Sequence, residues 1–483
     1  MRDALKKLSG DSLIYGIGQV GNRAVNVLMV PILTRVLRPG EYAISELAFA
    51  YSQAVILVLV MGLDGALARF FYHEADRAAR VRMASSSLIF RVITSVLIAL
   101  LIVALSGPLA AQFMGGPAYR KYLLVAAATL PFTLLVLFGN DVLRVTLQPI
   151  KFVTLNSVNV LLVFALSLLF VVVQHRGVIG VLYGKLIGDA VSAVLALVLS
   201  RHALRWSFDR TVLRKMLAYG LPAVPAIFAF GVVASIDRFA LQRTRSLEEV
   251  AIYGIAAKFL AVVAMGVSAF QLAYTPFAYS RLHLPEAPRL FAKFLALYVA
   301  GASGAALLVG LLAPTVLELL VPPAYRAAAT PALWLAFAAV AQGAYTVASI
   351  GIGIALKTPW LNASGLAAAA VGVTLQWALT PRLGPAGAAA ATFAAYFAAA
   401  AVTYGIAQRV YWLPYRGGRM IALGLLALGL GLAGQRFAPP GALGLAMRLG
   451  IAAGYAGLVL WLRVWTNAFA VGPARDRSPG EER

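Results

Sequence analysis

Cysteine is absent from the 483-residue sequence, and only four histidines occur. The chain therefore cannot form a disulfide, use a thiolate nucleophile or bind a metal through cysteine. Four scattered imidazoles do not supply a metal cluster, so we expect no metal site. We expect no other cofactor either. Charged residues make up only 12% of the chain, against about 25% in an ordinary soluble protein.

Apolar residues are correspondingly abundant, at 61% of the chain, and the mean hydropathy is +0.85. This excess exceeds what a soluble core could bury, so it indicates a membrane protein. The net charge is +23, with 41 Lys and Arg against 18 Asp and Glu. In a soluble protein such a charge would suggest nucleic acid. In a membrane protein it indicates positively charged cytoplasmic loops that face anionic lipids. We therefore expect anionic membrane lipids, and not nucleic acid, as partners.

Long apolar runs, bounded by charged residues, Pro and Gly, predict an all-α membrane protein with about fourteen transmembrane helices, each of about 20 residues. The predicted spans lie near Ser12–Leu33, Ile44–Leu63, Met83–Gly107, Tyr122–Leu143, Phe152–Val173, Val178–Leu199, Leu213–Ile236, Val250–Ala273, Phe294–Leu319, Pro331–Ala355, Trp360–Leu379, Ala386–Ala407, Met420–Gly434 and Leu443–Leu462. The connections are too short for an extramembrane domain.

The 41 Lys and Arg residues are concentrated in alternate connections. The positive-inside rule then places both termini in the cytoplasm. The first span contains Arg23 and has no small-residue cleavage site after it. We therefore expect a retained helix and not a signal peptide.

A faint internal repeat links the two halves, since Tyr15-Gly16 recurs as Tyr219-Gly220. The spacing corresponds to six helices, which predicts two six-helix lobes related by a pseudo-two-fold axis along the membrane normal. Chance recurrence in an apolar sequence is the alternative. The predicted parts are an N-terminal lobe at 1–207, a C-terminal lobe at 208–410, two additional helices within 411–472 and a disordered cytoplasmic tail at 473–483.

The first predicted helix carries one polar stripe, formed by Tyr15, Gln19, Asn22, Arg23 and Asn26. Spacings of three, four and seven place these residues on one helical face. We interpret the stripe as a cavity wall, with Arg23 as a contact for an anion because guanidinium matches phosphate and carboxylate. A structural network of hydrogen bonds between helices is the alternative.

Lys258 is a second deep cation, and no carboxylate lies three or four positions away from it in the sequence. We predict contact with an anion in a cavity; an ion pair with another helix is the alternative. Three amides within spans are candidates for contacts with sugar hydroxyls, although hydrogen bonds between helices explain them equally well. They are Asn156, Asn159 and Gln342.

Other charged residues within or beside the spans predict pairing or anchoring. Lys185 and Asp189 are four positions apart on one helix, which predicts an ion pair with proton relay as a further role. Asp141 is a candidate proton or cation site and alternatively an anchor of a helix end. Arg91 and Arg448 lie close enough to predicted span ends to snorkel towards the interface.

Two local motifs concern backbone geometry. Gly16, Gly18 and Gly21 match a dinucleotide-binding fingerprint, but they lie inside a predicted membrane helix without the strand that the fingerprint requires. Close helix packing is the better interpretation. Pro222 and Pro225 predict an interruption of the seventh span, which would suit a hinge.

Several segments carry a family resemblance. They are Ser12–Gly18, Pro31–Tyr42, Gly62–Phe71, Tyr219–Pro222, Asp237–Phe239 and Tyr253–Lys258. The sequence resembles the polysaccharide (Wzx-like) flippases of the multidrug/oligosaccharidyl-lipid/polysaccharide exporter superfamily. The likeness of motifs covers about the first 280 residues. Ala43 departs from it, because the family usually has Gly after the Glu-Tyr pair.

The resemblance implies two lobes around a cationic cavity that opens to each side of the membrane in turn. It implies a flippase of the bacterial inner membrane that moves an undecaprenyl-diphosphate-linked oligosaccharide from the cytoplasmic to the outer leaflet for O-antigen or exopolysaccharide biosynthesis. Arg23 and Lys258 match places where relatives have cavity cations. The two last helices would shape a groove for the lipid tail. The resemblance also implies a coupling ion, H⁺ or Na⁺, and a glycan polymerase and glycosyltransferases as partners.

Two other functions stay open at this point. An ion-coupled multidrug or organic-cation antiporter of the same superfamily would need unpaired carboxylates deep in its cavity. A membrane-embedded glycan polymerase or ligase would need a long external loop, and no predicted external loop exceeds roughly twenty residues. We find no set of side chains for covalent catalysis, so we expect a transporter and not an enzyme.

Overall fold

The computed structural model describes residues 18, 21, 22, 25, 27–74, 76–205, 207–281, 284, 286–355, 358–464 and 466. These residues are almost entirely helical, and they contain no β-strand. The α-helices in chain order are α1 (Val27–Val36), α2 (Pro39–Val60), α3 (Leu63–His73), α4 (Arg77–Ala104), α5 (Ser106–Phe113), α6 (Arg120–Val145), α7 (Pro149–Leu168), α8 (Val178–Ser200), α9 (Arg210–Gly220), α10 (Val224–Val233), α11 (Ile236–Thr244), α12 (Leu247–Ser280), α13 (Ala287–Leu320), α14 (Ala329–Ala348), α15 (Ile350–Ile354), α16 (Leu361–Val410), α17 (Gly417–Phe437) and α18 (Ala442–Trp461). The predicted fold class is confirmed.

Within the described residues, twelve helical stretches are long and apolar enough to span a membrane. The longest of them, α16, has 50 residues and contains two of the predicted spans. They are separated at Gly384, whose φ of 58° is left-handed, and Pro385 follows without a backbone N–H. The shorter apolar helix α1 contains the end of the first predicted span, and about half of that span lies outside the described residues. Each predicted span therefore has a helical counterpart.

Local sequence explains where several helices begin. The carboxylate of Asp76 accepts hydrogen bonds from the backbone N–H groups of Ala78 and Ala79, at 2.9 and 3.1 Å, and so caps α4. Asp209 caps α9 in the same way through Thr211 and Val212. Such caps satisfy donors that a helix leaves unpaired at its first turn.

The predicted interruption of the seventh span is confirmed. Helix α9 ends at Gly220, a 3₁₀ turn occupies Leu221–Ala223, and α10 begins at Val224. Proline at 222 suits this turn because it lacks an N–H for a continuing helix. A similar break separates α2 from α3, with Met61 and Gly62 in the left-handed region at φ of 49° and 67°.

The chain forms two compact units. The first contains Met1–Ile255, Leu317–Ala328 and Ala368–Thr392, and the second contains Ala256–Val316, Ala329–Ala367 and Phe393–Arg483. In the first unit, buried residues such as Leu67, Phe138 and Met216 pack α3, α6 and α9 together. In the second, Leu311 and Leu333 belong to a large buried cluster that includes α13, α14 and α17. The predicted division into two sequence lobes stays a prediction.

Candidate functional site

Four residues of the predicted polar stripe, Tyr15, Gln19, Arg23 and Asn26, lie outside the described residues. Asn22 of the same stripe is half-buried, and its side-chain oxygen accepts a hydrogen bond of 3.1 Å from Ser157 in α7. Gly18 lies against α7 as well, since a Cβ at this position would stand 2.6 Å from a methyl group of Val153. This close approach supports the packing interpretation of the glycine motif.

Asp189 is the centre of a polar cluster in the first unit and is buried to 1% exposure. Lys185 donates to its Oδ2 at 2.8 Å and Thr133 to the same oxygen at 2.6 Å. Asn159 donates to Oδ1 at 2.9 Å. Three helices, α6, α7 and α8, thus converge on one carboxylate. The structure brings together three of the predicted site residues, Asn159, Lys185 and Asp189, and their role in coupling stays a prediction.

Arg91 corrects a prediction, because it does not snorkel. Its side chain is 1% exposed, and Nη1 donates to Oδ2 of Asp141 at 2.8 Å. A buried guanidinium needs a counter-charge, and the carboxylate in α6 supplies it across the interface with α4. The guanidinium also lies over the ring of Phe138, 5.8 Å from its centroid. Asp141 is therefore half of a deep ion pair, and its role as a proton or cation site stays a prediction.

The prediction that Arg448 snorkels is wrong for a similar reason. The residue is 8% exposed, in α18, and its Nη1 donates to the hydroxyl of Thr315 in α13 at 3.3 Å. The contact of α18 with α13 inside the second unit buries a side chain that the sequence, from its distance to a span end, places at the interface.

Asn156 pairs with Asn140 through reciprocal amide hydrogen bonds of 2.8 and 3.2 Å between α7 and α6. Asn156 thus forms the hydrogen bond between helices that was the alternative to a contact with a sugar hydroxyl. Gln342 is exposed on α14, and Lys258 is half-buried in α12; both belong to the second unit. Contacts of these three residues with a substrate stay predictions.

Sequence reasoning missed a buried network in the first unit. Tyr253 donates to Oδ2 of Asp237 at 2.6 Å, while Nη1 of Arg238 donates to Oδ1 at 3.1 Å. The Tyr253 hydroxyl also lies 3.2 Å from that of Thr392 in α16. The network joins α11, α12 and α16. Asp237, Arg238 and Tyr253 all belong to the segments that carry the family resemblance, and that pattern was the available signal.

A polar cavity of about 290 Å³ opens in the first unit between Gly18 and Asn22 on one side and α6 and α7 on the other. Its described lining includes three asparagines and one arginine, which are Asn22, Asn140, Asn156 and Arg144. Hydrogen-bonding groups of this kind suit a polar ligand.

An apolar cavity of about 190 Å³ lies in the second unit between α13, α14, α16 and α17. Phe337, Phe393 and Phe397 contribute rings to it, and Ser303 and Tyr404 are the polar side chains of its described lining. Such a lining can hold a hydrocarbon chain but not a charged headgroup.

Comparisons with known proteins agree with this architecture. The sequence model of the polysaccharide biosynthesis protein family matches residues 9–278, which is more than half of the chain. A search of curated protein sequences gives no match. A structure of the lipid II flippase MurJ in an inward closed conformation is similar with a TM-score of 0.72 at 12% identity, covering 93% of this chain and 99% of that chain.

Two transporters of the MOP superfamily are also similar in structure. One is an inward-facing multidrug resistance transporter of the MATE family, with a TM-score of 0.60 at 18% identity over 80% of this chain and 94% of that chain. The other, from Pyrococcus furiosus, has a binding pocket of reverse polarity; its TM-score is 0.54 at 18% identity over 84% of this chain and 95% of that chain. The chain is a multi-pass membrane protein that belongs to the polysaccharide biosynthesis protein family and has the fold of the MOP-superfamily transporters.

Proposed function

We propose that the protein is a flippase that moves a polyprenyl-diphosphate-linked oligosaccharide from the cytoplasmic to the outer leaflet of the bacterial inner membrane. It acts by alternating access between the lobes at 1–207 and 208–410, with both termini in the cytoplasm. The family match supports a role in polysaccharide biosynthesis. The likeness to a lipid II flippase extends over 93% of the chain, against 80% for the MATE transporter.

The apolar cavity of the second unit carries the proposal. A polyprenyl-linked substrate must keep a long hydrocarbon tail in apolar surroundings while its headgroup crosses the membrane. The cavity offers such surroundings and is walled by α17, which lies beyond the twelve helices of the predicted lobes.

The headgroup is contacted by the polar residues predicted from sequence. Arg23 and Lys258 contact the diphosphate, because charge-assisted hydrogen bonds favour phosphate oxygens. The sugar hydroxyls are contacted by five amide side chains. These belong to Gln19, Asn26, Asn156, Asn159 and Gln342. Asp189 is the site of ion coupling: protonation of its carboxylate would remove the counter-charge of Lys185, which lies 2.8 Å away.

Two glycines of α17 allow a matched test. Gly424 lines the apolar cavity, and an added Cβ would meet only the Ser303 hydroxyl, at the ordinary van der Waals distance of 3.7 Å. Gly429 is exposed and has nothing within 4 Å of an added Cβ. We expect Gly424→Phe to slow flipping of an undecaprenyl-linked glycan in reconstituted vesicles at least tenfold, whereas Gly429→Phe flips it at the wild-type rate.

A substrate with a shorter hydrocarbon tail provides a control that the Gly424→Phe variant is correctly folded. A farnesyl-linked analogue has a much shorter tail, so Gly424→Phe should flip it nearly as fast as the wild-type protein. Equal rates for both tail lengths in both variants would contradict the use of this cavity.

An antiporter of organic cations is the second candidate, since the fold is also that of MATE transporters. The deep carboxylates of α6 and α8 do not favour it: Asp141 pairs with Arg91 and Asp189 with Lys185. Export of ethidium from the same vesicles, without flipping of lipid-linked glycan, would support this candidate instead.

A further inference from the structure

Arg144 lines the polar cavity and has an exposed guanidinium. It belongs to the last turn of α6 and is exposed. Its guanidinium carbon lies 5.7 Å from the centroid of the Phe152 ring, within the distance of a cation–π contact. The nearby Asp141 is paired with Arg91, and among the described residues Arg144 forms no ion pair.

Two hydrogen-bonded amides, those of Asn140 and Asn156, also line the cavity. Asn140 lies one helical turn before Arg144 in α6, and Asn156 lies one turn after Phe152 in α7. Their reciprocal hydrogen bonds of 2.8 and 3.2 Å join the two helices, and Asn156 also donates to the carbonyl of Phe152 at 2.8 Å. Within the described residues this leaves one N–H of Asn140 and a lone pair on each amide oxygen for a ligand.

The lining of the cavity therefore combines one arginine, one aromatic ring and the amide side chains of Asn22, Asn140 and Asn156. Guanidinium binds phosphate oxygens in a bidentate way. Amides and an aromatic ring suit the hydroxyl groups and the apolar face of a sugar ring.

Its size limits the ligand. The volume of about 290 Å³ lies at the lower end of the roughly 300–1,000 Å³ of typical small-molecule pockets. The cavity can hold one phosphorylated sugar, but not an oligosaccharide.

We propose that this cavity is a sugar-phosphate site, with Arg144 as the phosphate contact and the amides of Asn140 and Asn156 as contacts for sugar hydroxyls. The identification of the ligand as the first sugar phosphate of a lipid-linked glycan rests on the proposed function. The site itself rests on the cavity and on Arg144.

The test is equilibrium binding to the purified full chain in nanodiscs. The probes are α-glucose 1-phosphate, glucose, inorganic phosphate and a farnesyl-diphosphate-linked glucose. We expect glucose 1-phosphate to bind more tightly than glucose or phosphate alone, and Arg144→Gln to weaken its binding at least tenfold. Arg144→Lys keeps the positive charge but loses the planar guanidinium. Its affinity for glucose 1-phosphate should therefore lie between those of the wild-type protein and of Arg144→Gln. Tighter binding of the farnesyl-linked probe than of glucose 1-phosphate identifies a lipid headgroup as the source, and the reverse order identifies a free sugar phosphate.

Arg176 is a matched control. It is exposed, and its guanidinium carbon lies 5.7 Å from the centroid of the Phe170 ring, yet it does not line this cavity. Arg176→Gln should bind glucose 1-phosphate like the wild-type protein, and all variants should unfold at the wild-type temperature. Unchanged binding in Arg144→Gln, or an equal loss in Arg176→Gln, would overturn the proposal. A wild-type protein that binds in this Arg144-dependent way but flips no lipid-linked glycan would refute the proposed function and support the site.

Discussion

The backbones of Gly62 and Gly220 are in direct contact. A Cβ on Gly62 would stand 2.7 Å from the carbonyl oxygen of Gly220, and a Cβ on Gly220 would stand 2.6 Å from that of Met61. Each glycine lies at a break between helices, one between α2 and α3 and the other at the end of α9. Two interrupted helices thus meet where both are interrupted, and only residues without a side chain allow this approach.

Gly220→Ala tests this contact. The φ of Gly220 is −77°, which alanine adopts readily, so the expected effect comes from the clash of the new methyl group with the Met61 carbonyl. Forcing such a group into a packed contact costs about 1–3 kcal/mol, and the thermal unfolding temperature in detergent should fall. Gly65→Ala is the control, because an added Cβ there has nothing within 4 Å. Equal unfolding temperatures for the two variants would contradict the contact.

The ion pair of Arg91 with Asp141 predicts a strong asymmetry between single and double variants. Removing one partner of a buried pair leaves an unpaired charge and costs about 3–5 kcal/mol. We expect Arg91→Leu and Asp141→Leu each to lose this much in free energy of unfolding, measured by denaturation in mixed micelles. The double variant should be much closer to the wild-type protein, since neither charge is left alone. Additive losses would show that the pair is not coupled.

We predict that Asp189 is the site of ion coupling. Asp189→Asn keeps a carbonyl that can accept from Thr133 or Asn159 but removes the charge that pairs with Lys185. We expect flipping by this variant to lose its response to an imposed H⁺ or Na⁺ gradient across vesicles. Glu248→Gln is the control, because Glu248 is exposed on α12. A full gradient response in Asp189→Asn would place coupling elsewhere.

Charge reversal tests the predicted diphosphate contacts. Arg23→Glu and Lys258→Glu should each abolish glycan export in cells while protein levels stay normal, because a carboxylate repels the diphosphate. Lys258→Arg should keep most of the activity. The exposed Lys121 provides a control, since Lys121→Glu should export normally. Full export by both Arg23→Glu and Lys258→Glu would refute the assignment.

Sequence alone predicted the helical spans well, because the length and hydropathy of a span are local properties. The broken seventh span was also predicted, since Pro222 acts on its own backbone. The partner of Arg91 could not be predicted, because Asp141 is 50 positions away in the sequence and packing of two helices brings them together. The same holds for Thr133 and Asp189, which are 56 positions apart.

The buried network around Asp237 shows the same limit more sharply. The sequence places an acid beside Arg238 but does not indicate that the hydroxyl of Tyr253 lies 2.6 Å from the acid. Nor does it indicate that Thr392, 139 positions from Tyr253, completes the contact. Sequence patterns locate polar residues along the chain, whereas their burial and partners depend on how distant helices pack.

Transfer of a fluorescent undecaprenyl-diphosphate-linked oligosaccharide across vesicles that contain only the purified protein tests the central claim most directly. Quenching of the outer leaflet by an impermeant reagent reports how much lipid has crossed. We predict transfer well above that of protein-free vesicles for the wild-type protein, and transfer at the protein-free level for Lys258→Glu. Wild-type transfer no faster than in protein-free vesicles would contradict the account.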